Sequence, residues 1–187
     1  MSAFKKIIKK YRDYFFKKKR RNISRQKKVI NYYDAKNIGL IYDASYEENY
    51  LLITEITRIL QLDDKKVCSL GFVRQKKTPE HCFPKLIFGF FSSQDFTWNL
   101  EAKSNFVNEY IKTEFDILID LSPSDIFHTK YVTGLSKAKY KVGIYSKEYF
   151  YIYDLLLDVN ENISLEALIE HSLHYLKTIN NQKEYAK

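Results

Sequence analysis

Short apolar runs separated by amphipathic segments predict a chain in which strands and helices alternate. Continuous apolar character predicts five strands, at residues 37–43, 66–73, 85–91, 115–121 and 140–145, and allows a sixth at 155–159. Apolar residues at helical spacing predict helices at 46–62, 105–114 and 122–136, and a last helix capped by Ser164. The run 115–121 is apolar almost throughout, as is typical of a strand buried on both faces of a parallel sheet. The pattern predicts an α/β fold, a Rossmann-like, doubly wound and mostly parallel sheet.

The charge of the chain is concentrated at one end. The first 31 residues hold thirteen Lys/Arg and one acidic residue, a net charge of +12, whereas the remaining 156 hold 18 Lys/Arg and 22 Asp/Glu, a net charge of −4. The length of 187 residues indicates one domain with an appendage. We therefore expect a basic amphipathic arm at 1–31 and a single α/β domain at 32–187.

Two features of the arm set its expected structure. Its apolar residues recur at helical spacing and predict an amphipathic helix: Phe4, Ile7, Ile8, Tyr11, Tyr14 and Phe15. The block KKKRR at 17–21 follows, and its mutual repulsion predicts poor order when the arm is free in solution.

Segregated positive charge favours a polyanionic partner, and we expect RNA. The predicted contacts are all the basic residues of the arm: Lys5, Lys6, Lys9, Lys10, Arg12, Lys17, Lys18, Lys19, Arg20, Arg21, Arg25, Lys27 and Lys28. Lys and Arg would contact phosphates, while the aromatic residues of the arm would stack on bases. A basic tail on a compact body suits ribosomal RNA, with ribosomal proteins as further partners. Six neutralised phosphates predict a slope of log affinity against log salt of roughly −4 to −5.

Two alternatives remain for the arm. The first is that its apolar stripe packs on the body and its lysines form a solvated face. The second is that the chain is a peripheral membrane protein, because a basic amphipathic helix also binds anionic lipid. Arginine favours RNA slightly, since its guanidinium fits bidentate phosphate contacts.

The body offers a possible ligand edge and little other chemistry. Ligands of doubly wound sheets bind beyond the carboxyl ends of the strands, and the candidate residues there are Asp43, Ser45, Ser122 and Ser124. Asp43 would be a base or metal ligand in a small enzyme or nucleotide binder, or with Ser45 it would cap a helix. Its five dispersed glycines form no phosphate-binding loop, so we expect no nucleotide cofactor and favour a non-enzymatic protein.

Cysteine and histidine usage points to no metal and to a reducing compartment. Cys68 and Cys82 are too few for a disulfide framework, so the expected location is the cytoplasm. Their spacing to His81 fits no common zinc pattern, and His171 and His174 are expected on a solvated helix face. No apolar run is long enough to span a membrane, and no signal peptide is indicated.

Two resemblances follow from the motifs of the body. KNIGLIYDAS, FDILIDLS and GLSKAKYKVGIY resemble a family of small uncharacterised proteins of Bacteroidetes-type bacteria, a domain of unknown function, which implies no activity. Residues 115–145 are similar to a strand–helix–strand segment in the acceptor-side domain of heptosyltransferase-like glycosyltransferases. The second resemblance implies a fold and no catalytic residue, because the chain is too short for the nucleotide-sugar domain.

Overall fold

The computed structural model describes residues 3–160 and 163–179, with side chains from residue 8 onward. Its centre is a six-stranded sheet in which every strand pair is parallel, in the order β3-β2-β1-β4-β5-β6. The strands are β1 (Asn37–Asp43), β2 (Lys66–Val73), β3 (Phe88–Ser92), β4 (Ile117–Asp120), β5 (Tyr140–Ile144) and β6 (Leu155–Leu157). The predicted Rossmann-like α/β class is confirmed.

In the described part of the chain, five α-helices cover the two faces of the sheet. They are α1 (Ala3–Arg21), α2 (Glu47–Leu62), α3 (Asn105–Lys112), α4 (Phe127–Leu135) and α5 (Leu165–Thr178). Side chains alternate along each strand, so each face has its own core. Tyr50 of α2 and Leu168 of α5 belong to one core, whereas Val107 of α3 and Val132 of α4 belong to the other. Helix α1 adds to the second side by packing on α4.

One local prediction was wrong. Helix α4 begins at Phe127 and not at Ser122, because the Ser122 hydroxyl bonds to Asp120 and Thr129 instead of capping a helix. The block 17–21 is helical in the docked arm, and poor order of the free arm stays a prediction. The side chains of Lys19 and Arg20 bond to the body, and basic residues at a helix C-terminus are favoured by the helix dipole.

The chain reverses its direction of travel across the sheet between β1 and β4. These neighbouring strands pair in register from Ile38 with Ile117 to Ile41 with Asp120. From β1 the chain continues to β2 and β3 on one side, and from β4 it continues to β5 and β6 on the other. The loops that follow β1 and β4 therefore lead away from each other. In folds of this class the resulting crevice is where ligands bind.

Candidate functional site

Helix α1 is anchored to the body by one phenylalanine. Phe16 is 1 % exposed, and its ring centroid lies 5.9 Å from that of Phe127 and 5.5 Å from that of Tyr131. Gly134 of α4 leaves the space that the Phe16 ring fills. One turn earlier, the Arg12 guanidinium lies 3.9 Å from the centre of the Phe127 ring. The predicted apolar stripe included Phe15 and left out its neighbour Phe16, which is the one that is buried.

The end of α1 also bonds to the body. Lys19 donates from Nζ to the carbonyl of Leu100 at 3.1 Å. Arg20 donates to the carbonyl of Tyr151 at 2.7 Å, and its guanidinium lies over the Tyr151 ring. Burial lowers the pKa of Lys19, with Glu101 opposing it. These two cations therefore hold the helix in place.

The segment after α1 is held by Arg25. Its guanidinium makes two 2.8 Å bonds to the Asp154 carboxylate and two 3.1 Å bonds to the carbonyls of Ala138 and Lys139. Lys27 reaches the same carboxylate at 3.1 Å. Burial raises the pKa of Asp154 and these two cations lower it, and the net shift is downward. Arg25 uses its donors on the protein and is a structural anchor.

The opposite, outer face of α1 is different. Lys10 and Tyr14 are four residues apart, Lys17 and Lys18 lie three and four residues after Tyr14, and Arg21 lies four and three residues after those two lysines. The five side chains therefore form one stripe along the helix: Lys10, Tyr14, Lys17, Lys18 and Arg21. All five are exposed, Tyr14 by 60 %. Among the described residues no acidic side chain pairs with these four cations. We call these five residues the outer stripe.

The other predicted contacts of the arm fall outside this stripe. Lys28, beyond the helix, is exposed, and Lys9 is exposed but pairs with Glu148 at 2.9 Å. The side chains of Lys5 and Lys6 lie outside the part of the chain that the structure describes.

Aromatic side chains flank the outer stripe. Tyr11 stacks on Trp98 with centroids 6.4 Å apart, and Phe15 meets the same indole edge-on at 6.1 Å. Trp98 is 78 % exposed although it belongs to a loop of the body. From the sequence we assign no role to this loop. The one feature that could have indicated a role is the single tryptophan of the chain, which stands among polar residues.

A cleft of about 790 Å³ lies beyond the carboxyl ends of β1, β4 and β5. Asp43 and Ser124, two of the four predicted edge residues, line it, whereas Ser45 and Ser122 do not. Its remaining lining is mixed: Tyr46, Asn49, Leu121, Pro123, Asp125, Ile144, Tyr145, Ser146, Lys147, Val159, Asn160, Ile163, Leu165 and Leu168.

Arg74 neutralises the carboxylates at the mouth of this cleft. It donates from Nε to Asp43 at 2.8 Å and from both terminal nitrogens to Asp125. These bonds hold the pKa of Asp125 below its usual value. Asp43 also accepts from the backbone of Ser45 at 3.0 Å, and the Ser45 hydroxyl accepts from the backbone of Arg74. Asp43 and Ser45 thus organise a turn, and the Asp43 carboxylate already has two donors.

A buried ion pair lies beneath the same edge. Asp120 and Lys130, each 1 % exposed, are joined by a 3.0 Å bond, and Lys130 also bonds to the hydroxyl of Ser122 at 3.0 Å. Thr133 and Tyr153 donate to the Asp120 carboxylate at 3.1 and 2.7 Å. Burial lowers the pKa of Lys130, and Asp120 opposes that shift. A serine beside a lysine can act as a nucleophile, but Ser122 is fully buried, so this group supports the fold.

Neither a metal site nor a membrane span is found in the described parts of the chain. Residues 3–160 and 163–179 contain no cluster of three or more His, Cys, Asp or Glu that could hold a metal ion. None of the helices described there is both long and apolar enough to cross a bilayer. Cys68 and Cys82 are free thiols, and burial raises the pKa of each to about 11.

Comparison with known proteins gives a family without an assigned activity. A family model described as a family of unknown function matches residues 5–179, nearly the whole chain. No curated protein matches the chain.

Proposed function

This chain belongs to the DUF6913 family of unknown function, and we propose from its own geometry that it binds RNA through the outer stripe of α1. The observation that carries the proposal is the division of the arm into two faces. One face packs on the body through Phe16, and the other presents four exposed cations without acidic partners among the described residues.

The stripe has the dimensions and charge of a phosphate-backbone contact. Lys10 and Arg21 are eleven residues apart, which is about 16 Å along a helix at 1.5 Å per residue. Four cations over that length can each neutralise a phosphate and release its counterions. Because α1 is anchored to the body, the contact surface is already ordered, and less conformational entropy is lost on binding.

The aromatic flank favours RNA over a bilayer. Exposed rings at Tyr11, Tyr14 and Trp98 can stack on unpaired bases. A helix that binds a membrane turns its most apolar residues toward the lipid, whereas Phe16, the most buried of the α1 side chains described from residue 8 onward, faces the body.

The test is binding of a fluorescent single-stranded RNA, measured by anisotropy at a series of salt concentrations. Four phosphate contacts predict a slope of log affinity against log salt of roughly −3, or a loss of about 50-fold between 50 and 200 mM salt. The variant Lys10→Gln/Lys17→Gln/Lys18→Gln/Arg21→Gln should lose most of this affinity and bring the slope close to zero.

A charge-matched control separates the stripe from net charge. The variant Lys66→Gln/Lys76→Gln/Lys77→Gln/Lys112→Gln removes the same charge from exposed positions of the body and should bind RNA nearly as well as the native chain. Equal losses in both variants would mean that no specific surface is involved. Binding to anionic vesicles without binding to RNA would overturn the proposal in favour of a membrane surface.

Association with ribosomal RNA in the cytoplasm is the finer form of this proposal. Sedimentation of cell lysate on a sucrose gradient should place the native chain with a ribosomal particle, and the stripe variant should stay at the top. The stripe variant is a better probe than deletion of 1–31, because deletion also removes Phe16 from the core. Sedimentation of both proteins at the top would contradict the ribosomal form.

A second candidate function is small-molecule binding in the cleft beyond β1 and β4. Its support is the position of a cleft of about 790 Å³ at the reversal of strand order. A thermal-shift screen with nucleotides and sugars tests it, with Ser124→Trp as the variant that fills the cleft from an exposed position. A shift in the native chain that the variant loses supports the candidate, and no shift counts against it.

A further inference from the structure

A second cavity lies on the inner side of the arm, away from the outer stripe. It measures about 350 Å³ and is bounded by the end of α1, the segment that follows, α4 and β5. Its lining is strongly basic: Arg20, Ile23, Ser24, Arg25, Lys27, Gly134, Lys141 and Ile152. None of the described acidic side chains lines it. We call this cavity the junction pocket.

Lys141 is the unusual member of this lining. It lies on β5 and is 2 % exposed, and its ammonium nitrogen makes one hydrogen bond, 3.3 Å from the carbonyl of Gly134. A lysine ammonium has three donors, so a buried one with a single long bond is under-satisfied. Buried polar groups are normally paired, and one that is not calls for a ligand or water.

The charges around Lys141 are mostly positive. Arg20, Arg25 and Lys27 surround it, and the nearest carboxylate, Asp154, already accepts bonds from Arg25 and Lys27. Burial and the neighbouring cations together lower the pKa of Lys141 to about 6, with Asp154 opposing them. An anion placed in the pocket would offset both effects.

We propose that the junction pocket binds a single phosphate group. A tetrahedral dianion can accept hydrogen bonds from donors on several sides, and the donors here are the Lys141 ammonium, the Lys27 ammonium and the Ser24 hydroxyl. Arg20 and Arg25 add positive electrostatic potential to the pocket. A cation is excluded by the sign of the lining. Ile23 and Ile152 line the same cavity, which therefore holds room for the carbon skeleton of a phosphorylated small molecule.

This site goes beyond the proposed RNA contact, because it uses residues on the inner side of the arm. The two phosphate sources are a free phosphorylated molecule and a backbone phosphate of bound RNA. The junction pocket would bind the phosphate group in the same way from either source, so its binding is tested first with an inorganic anion.

The experiment is calorimetric titration of the full chain with sodium sulfate, against sodium chloride at matched ionic strength. Sulfate does not titrate between pH 5 and 8, so any pH dependence belongs to the protein. Lys141 must gain a proton to bind an anion, and we expect sulfate affinity to rise nearly tenfold per pH unit as the pH falls from 8 toward 6. The other charged groups that face Lys141 are Arg20, Arg25, Lys27 and Asp154, and the lowered pKa of Asp154 keeps that carboxylate ionised in this range.

Three variants decide the outcome. Lys141→Met keeps the length of the side chain without its charge, and should abolish sulfate binding and its pH dependence. Ser24→Ala, at an exposed position, should weaken binding without affecting the fold, whereas Lys28→Gln, an exposed neighbour that does not line the pocket, should have no effect. Absence of saturable sulfate binding, or binding that Lys141→Met leaves unchanged, would overturn the proposal.

Competition then identifies the source of the phosphate. Displacement of sulfate by adenosine monophosphate, with RNA affinity unchanged in Lys141→Met, indicates a free phosphorylated molecule. Weaker RNA binding in Lys141→Met together with competition by sulfate indicates a backbone phosphate. The stripe variant retains every residue of the junction pocket, so it should bind sulfate as the native chain does. If the chain does not bind RNA, the sulfate measurement still tests the junction pocket.

Discussion

A β-carbon added to Gly134 would lie 2.6 Å from Cε2 of Phe16. Because α4 and α1 approach this closely, the packing of α1 on the body requires a glycine at position 134. The arm's two faces follow from it, because rotation of α1 about its axis is fixed by the side chain that fills the space above Gly134.

The first prediction concerns this contact. Gly134 lies in the last turn of α4, where replacement by alanine would ordinarily stabilise a protein by about 0.4–1 kcal/mol, because alanine restricts the unfolded chain more than glycine does. Here we expect destabilisation, since the new methyl group overlaps the Phe16 ring. Urea denaturation measures the free energy of unfolding, and limited proteolysis of 1–31 reports whether the arm has detached.

A double-mutant cycle isolates the cause. Phe16→Ala removes the ring that the methyl group would strike, at a cost of about 3–5 kcal/mol for a buried phenylalanine. In that background Gly134→Ala should become neutral or stabilising. A destabilising effect of the same size in both backgrounds would show that the contact with Phe16 is not responsible.

The second prediction concerns the buried pair of Asp120 and Lys130. Asp120→Asn keeps the shape of the side chain but leaves the Lys130 ammonium without its counter-charge in a site from which water is excluded. Removing one partner of a buried ion pair costs about 3–5 kcal/mol. Adding Lys130→Met should recover part of that loss, so that the double variant is more stable than Asp120→Asn alone. Additive losses in urea denaturation would contradict this account.

The regular part of the fold was predictable from the sequence because it depends on local patterns. The bounds of β1 at Asn37–Asp43 and of β2 at Lys66–Val73 match the predicted strands, since each apolar run ends at polar residues. The N-cap Ser164 of α5 was likewise visible, and its side chain accepts from the backbone of Ala167. Strand order was not predictable, because it is set by which faces pack together over long sequence distances.

The details of the sites depend on tertiary contacts that no local pattern carries. Phe15 and Phe16 are adjacent, and the period of the arm cannot tell which ring is buried against Gly134. Lys141 sits in the predicted strand 140–145, where nothing in the sequence indicates that its ammonium is enclosed by cations from the arm. Trp98 meets Tyr11 only because α1 packs on the body.

The third prediction concerns the acid stability of the chain. His128 stacks on Phe72 with centroids 5.6 Å apart, and burial, aided by Arg12, lowers its pKa to about 4. Between pH 6.5 and 4 the unfolded chain therefore binds a proton at this position that the folded chain does not. Native stability should fall with decreasing pH in that window by up to about 1.4 kcal/mol per pH unit on account of this residue.

The variant His128→Phe keeps an aromatic ring in the stack and removes the titrating group. As the pH falls from 6.5 to 4, the free energy of unfolding of this variant should decrease by less than that of the native chain. Parallel pH profiles for the two proteins would show that His128 is protonated as readily in the folded chain as in the unfolded one.

The last prediction concerns Lys141 and the stability of the unliganded chain. Its folded pKa of about 6 lies below the usual value of 10.5, so between these limits the unfolded state holds a proton that the folded state lacks. The contribution of Lys141 to stability therefore worsens as the pH falls, by at most about 1.4 kcal/mol per pH unit, and levels off below pH 6. Lys141→Met removes this penalty and should be more stable than the native chain at pH 7, with a difference that shrinks toward pH 10. Sulfate should narrow the difference at pH 7, because it stabilises only the chain that binds it. A stability difference that neither pH nor sulfate alters would mean that the Lys141 ammonium is already satisfied in the folded protein.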